Sequence, residues 1–118
     1  MLIRSQDKRM IANFDNICTV SAFPEKNSED IYVEDGTGSL MVGKYSTKEK
    51  AMKVLDMIQE AYANFEAAKI TSTGLATAEY TGSYDTPESV AGGIKTLKGY
   101  ADLIKESVVF QMPEDSEV

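Results

Sequence analysis

Apolar residues recur along this chain in two ways, and the change between them divides it. Residues 1–45 read as short extended runs broken by turn residues. Leu2–Ser5 and Met10–Phe14 are brief runs, with Asp15-Asn16 as a turn or bulge after the second. Ile17–Phe23 is β-branched and apolar, the composition of a strand, and Pro24 ends it. A polar loop over 25–30 leads into Ile31–Glu34. Asp35-Gly36-Thr37-Gly38 predicts a tight hairpin, because glycine takes the positive φ such turns need, and Leu40–Tyr45 returns as the partner strand.

From Ser46 the spacing becomes helical. Ser46 and Glu49 stand at the separation of a capping box, in which each side chain satisfies a backbone N–H. Ala51, Val54, Leu55, Ile58, Ala61, Tyr62 and Phe65 then fall on one stripe. This predicts a helix over 47–68, with Val54, Leu55 and Ile58 at the centre of the core. Residues 71–84 are rich in Thr, Ser and Gly and read as a loop. A second helix, capped by Asp85 or Thr86 with Pro87 near its first position, would carry Val90, Ile94, Leu97, Ala101 and Ile104 as its stripe. Gly92, Gly93 and Gly99 weaken it, each by about 1 kcal/mol against alanine. Either they permit close packing or the helix begins only near Ile94. Val108–Met112 reads as a last strand, stopped by Pro113, and the acidic tail 114–118 as a frayed end.

Strands clustered before helices argue an α+β fold with an antiparallel sheet of about five strands. One long helix would pack on it, and a second helix would sit in a C-terminal insertion over 71–106. A chain of 118 residues reads as a single domain.

Composition narrows the chemistry. Histidine is absent, which excludes Ser-His-Asp and Cys-His catalysis and any histidine metal site. Cys18 is the only cysteine, so no internal disulfide forms, and its apolar neighbours predict a small buried hydrophobe. No run approaches the roughly 18 apolar residues of a membrane span, and Met1–Met10 lacks the basic start and long apolar core expected of a signal peptide. A soluble, cytoplasmic protein is expected. The balance of 19 acidic against 12 basic residues, net −7, disfavours direct binding to nucleic acid or an anionic membrane and favours a basic protein surface. No cofactor or metal is implied, and the sequence is compatible with a homodimer.

Two clusters stand out. Glu25, Glu29, Asp30, Glu34 and Asp35 form the densest acidic group. They read as a solvated hairpin edge or as a patch for a partner; Tyr32 and Val33 occupy positions that a calcium loop needs for oxygen ligands. Lys44, Lys48, Lys50 and Lys53 gather near the start of the long helix, where positive charge opposes the helix dipole. A bound phosphate would compensate, so Lys44, Lys48 and Lys50 with Tyr80 and Tyr84 make an alternative nucleotide site.

Three segments, Met1–Gln6, Gly43-Lys44-Tyr45-Ser46 running into Ala51–Ile58, and Val109–Pro113, resemble small proteins of Gram-positive bacteria and their phages that have no assigned activity. The resemblance implies a phage or mobile-element setting and a host-cell cytoplasm. It carries over no functional residue. With the acidic charge, it favours a non-enzymatic protein that blocks a basic groove on a host protein such as a defence nuclease, CRISPR nucleases among them. Sequestration of a nucleotide signal and a structural or assembly role in a particle are the alternatives.

Overall fold

The computed structural model describes the backbone of residues 1–80 and 87–118, and the side chains of that set outside 74–80 and 89. The strands are β1 (Leu2–Arg4), β2 (Ile11–Asn13), β3 (Thr19–Glu25), β4 (Ser28–Glu34), β5 (Ser39–Tyr45) and β6 (Val109–Gln111). The helices are α1 (Lys48–Tyr80) and α2 (Pro87–Ser107), so the class is α+β. The chain divides into two compact units, Met1–Tyr62 with Val109–Val118, and Ala63–Val108. The expected insertion, 71–106, falls inside the second.

In the first unit the expectation of one antiparallel sheet is corrected. There are two three-stranded sheets, ordered β2-β1-β6 and β3-β4-β5, and β6 runs parallel to β1. The reason lies at Asn13–Asn16. Asn13 Oδ1 accepts the Asp15 amide at 3.0 Å, and a 3-10 turn follows over Phe14–Asn16. The chain thus leaves the first ladder before the Cys18 amide donates to the Glu34 carbonyl at 2.7 Å and opens the second.

The core draws on both sheets and on the first half of α1. Ile3, Ile31, Val33, Val54, Ile58 and Met112 are buried. Leu55 is only half-buried, which moves the centre of the stripe onto Val54 and Ile58. Strand β5 bulges against β4: Ile31 pairs with Gly43 and Tyr32 with Met41, so Val42 is the extra residue. Gly43 supplies room here. A Cβ on it would lie 2.9 Å from Met112 Cε and 3.0 Å from the Tyr45 hydroxyl.

The two sheets are joined at Pro113. The buried Tyr45 hydroxyl donates to the Pro113 carbonyl at 3.0 Å, and Gln6 Nε2 donates to the same oxygen at 3.1 Å. The Gln6 amide donates to the Val42 carbonyl at 2.8 Å, and Gln6 Oε1 accepts the Lys44 amide at 3.0 Å.

Thr47 rather than Ser46 caps α1, its Oγ1 accepting the Lys50 amide at 3.3 Å. The helix continues past the expected end to Tyr80, so 71–80 is not a loop; residues 81–86, the proposed caps Asp85 and Thr86 included, lie outside the described set. Ala76, Ala78 and Glu79 favour helix strongly enough to carry it beyond the single Gly74. In the second unit α2 begins at Pro87. Its predicted stripe is largely exposed, with Ile94 at 62 %, while Gly93 is buried and Thr96, Tyr100 and Ile104 are half-buried. The covered side of α2 is therefore rotated from the expected one, and Gly93 belongs to it.

Two outcomes follow for stability. Ile58→Ala should cost about 2–5 kcal/mol by denaturant unfolding, and Leu55→Ala distinctly less; equal costs would return Leu55 to the core. Burial, then the carboxylates of Glu114, Asp115 and Glu117, push the Tyr45 hydroxyl well above its ordinary value of 10.0. The unfolded chain ionises this phenol first, so its contribution is complete below about pH 10 and is lost as pH rises further. Tyr45→Phe should cost about 0.5–1.5 kcal/mol at neutral pH and flatten the alkaline decline. Thermal melts from neutral to strongly alkaline pH test this, and parallel declines in both proteins would refute it.

Candidate functional site

The acidic group does not survive as one patch. Glu25 is exposed at the turn between β3 and β4, Asp35 is exposed and Glu34 is half-buried. Glu29 and Asp30 are only 8 % and 5 % exposed and are withdrawn from the partner-binding set. They lie on the middle strand of their sheet, where both faces can be covered. Asp30 Oδ1 accepts the Ser28 hydroxyl at 2.8 Å, whereas Glu29 Oε2 meets no hydrogen-bond partner among the described residues.

Asp35 is fixed by its own turn. Its Oδ1 accepts the Thr37 hydroxyl at 2.7 Å, the Thr37 amide at 2.9 Å and the Gly38 amide at 3.2 Å. These bonds hold the carboxyl below its usual range, the Thr37 hydroxyl contributing most. Gly36 completes the turn at φ 88°, in the region glycine alone enters freely. No group of three or more acidic or cysteine side chains among the described residues is arranged to hold a metal ion.

The helix start that invited a phosphate already holds an anion from the chain itself. Asp115 Oδ1 accepts the Ser46 amide at 2.7 Å. Its Oδ2 accepts the Ser46 hydroxyl at 3.0 Å and Lys50 Nζ at 3.0 Å. Lys50 also donates to the Asp115 carbonyl at 2.6 Å. A carboxylate here offsets the helix dipole as a phosphate would. The tail is therefore not frayed: it ends in a 3-10 turn over Asp115–Glu117, with Glu117 Oε2 accepting the Glu114 amide at 2.7 Å. Of the nucleotide set, Lys44 and Lys48 are exposed, Lys50 is committed to Asp115, and the Tyr80 side chain and Tyr84 lie outside the described residues.

A groove of about 230 Å³ opens on the first unit. Ile3, Ile17, Val33 and Val42 give it an apolar lining, and Ile11 and Leu40, 61 % and 52 % exposed, also line it. Its polar lining comes from Asn13, Asn16, Glu34, Asp35 and the Gly38 backbone, with no basic residue. It gathers β1, β2 and the β4–β5 hairpin, which are distant in sequence. The period-two pattern locates each strand but not which ones meet. Ile11 and Leu40 read as strand hydrophobes, and only their exposure marks them. Cys18, expected to be buried, is exposed just before β3, with its Sγ 3.9 Å from where a Cβ on Gly36 would stand. No helix among the described residues is long and apolar enough to cross a membrane.

Comparisons with protein-family models, with curated proteins and with solved structures gave no match.

The Asp115 clamp is testable. The Ser46 amide, then Lys50, hold the Asp115 carboxyl below its ordinary 3.8. Such a group stabilises above the unfolded value and loses that contribution as pH falls through the folded one. Asp115→Ala, which removes the acceptor, should speed hydrogen exchange at the Ser46 amide at neutral pH, and acidification should loosen the native protein in the same direction. Unchanged protection at Ser46 would show that the tail is held by other contacts.

Proposed function

We propose that this chain is a small acidic binding protein that acts without catalysis by presenting Glu34, Asp35 and the adjoining groove to a basic protein surface. One observation carries the reading. The groove leaves the side chains of Ile11 and Leu40 largely open to solvent, and it has carboxylates in its lining and no basic residue there. Scattered exposed hydrophobes are ordinary, but exposed hydrophobes that converge on a concave, acid-lined surface are a usual mark of recognition. The net charge of −7 adds long-range attraction to a basic partner. The resemblance to proteins of Gram-positive bacteria and their phages supplies the setting, a host protein such as a defence nuclease whose phosphate-binding groove would be blocked. The nucleotide alternative loses support because Asp115 already neutralises the helix start that it needed.

The test begins with partners captured from host lysate and continues with association kinetics on the purified pair. Glu25→Gln, Glu34→Gln and Asp35→Asn combined should slow association more than they speed dissociation, as loss of charge steering does. Association of the unaltered protein should slow as salt shortens the Debye length from about 10 Å at 0.1 M to about 3 Å at 1 M. A partner whose association ignores both salt and these substitutions would refute the acidic-surface reading. So would a melting rise with a nucleotide and no protein captured.

A further inference from the structure

Resting on that reading, we infer that the groove is the anchor pocket for one aliphatic side chain ending in a cation, an arginine or lysine of the partner. Three observations select this occupant.

The first is size. Pockets for cofactors and drug-sized molecules run from about 300 to 1,000 Å³. At about 230 Å³ this groove falls below them and suits a single inserted side chain. Interfaces concentrate their binding energy in pockets of this kind, and arginine is among the residues enriched there.

The second is the order of chemistry along the lining. The exposed Ile11 and Leu40 and the half-buried Ile17 offer an apolar course for a methylene stem, over a floor backed by the buried Ile3 and Val42. Long cationic side chains lay such stems on apolar surface while their heads stay in polar surroundings.

The third is charge. Asp35 Oδ1 is taken up by the turn, but the carboxylate keeps its charge and Oδ2 stands outside the turn's three bonds. Glu34 also lines the groove, where its Oε2 accepts the Thr19 hydroxyl at a long 3.3 Å. A purely apolar occupant would strip water from these carboxylates and return nothing, which is costly for a charged group. A guanidinium or ammonium replaces the water with a charge-assisted hydrogen bond.

The experiment titrates isotope-labelled full-length protein with three probes: Nα-acetyl-arginine methylamide, its neutral citrulline counterpart and the apolar norleucine counterpart. A lysine counterpart separates the two cationic sources. The arginine or lysine probe should move the amide signals of Ile11, Asn13, Ile17, Asp35 and Leu40. The citrulline probe keeps N–H donors but not the charge, and should bind several-fold more weakly, the loss expected when a hydrogen bond is no longer charge-assisted. Asp35→Asn keeps the acceptor that the turn requires, so its spectrum should stay native elsewhere. It should weaken the cationic probes and leave norleucine unchanged.

Norleucine binding as well as or better than arginine would overturn the assignment. Signal changes confined to the Glu25 turn would overturn it too. If the cationic probes leave the groove amides unmoved while partner association still depends on salt and on Glu34 and Asp35, the pocket assignment fails and the acidic-surface reading stands. If they bind the groove and no salt-sensitive partner association exists, the pocket stands and the broader reading fails.

Discussion

The carbonyl of Pro113 is the point through which the first unit is tied together. It accepts the buried Tyr45 hydroxyl from one sheet and Gln6 Nε2 from the exit of β1 in the other. Strands of three residues, such as β1, β2 and β6, form a poor sheet by themselves. They gain support when their ends are bonded to a longer, better-paired neighbour. Burying a phenol demands a hydrogen-bond acceptor, and an unpaired one would cost about 1–3 kcal/mol. The Pro113 carbonyl reaches that hydroxyl only because β6 lies parallel to β1 and Gly43 leaves space for Met112. The bulge at Val42, the glycine at 43 and the proline at 113 thus answer one geometric demand.

That arrangement also places Asp115. Two residues beyond Pro113, its carboxylate meets the Ser46 amide and Lys50 at the start of α1. The end of the chain therefore serves the beginning of its longest helix. Ser46, which by spacing alone looked like a helix cap, is engaged with Asp115, and Thr47 next to it takes the capping role.

The strand positions, the Asp35–Gly38 hairpin and the buried face of α1 at Val54 and Ile58 were legible because each rests on local periodicity, but β3 runs through Pro24 to Glu25 and β4 begins at Ser28, where a stop and a polar loop over 25–30 were expected. What stayed hidden is non-local. The parallel β1–β6 pairing joins positions more than a hundred residues apart, as the bond from Gln111 Nε2 to the Ser5 carbonyl also does. Nothing in a window of ten residues reports it. The five acidic residues were close in sequence, and closeness along a strand says little about exposure. Glu29 and Asp30 point to opposite faces of the middle strand and both are covered. On α2 the apolar stripe was correctly spaced but mostly exposed, since periodicity finds an apolar face without naming what lies against it.

Three stretches of the chain, Met1–Gln6, Gly43–Ser46 and Val109–Pro113, acquire a physical meaning from these contacts. Gln6, Gly43, Lys44, Tyr45, Ser46, Met112 and Pro113 all lie in those segments, and all take part in joining the sheets or seating the tail. These residues hold the scaffold of the first unit together. The groove is built almost wholly from outside them, by Ile11, Asn13, Ile17, Val33, Asp35 and Leu40, with Ile3 as its contribution from the opening segment. A scaffold held by these contacts leaves the exposed side chains at the groove, Ile11 and Leu40, free to vary, whereas Ile3, Val33 and Val42 line it from the core. The exposed surface at Ile11 and Leu40 is therefore set apart from the contacts that hold the frame.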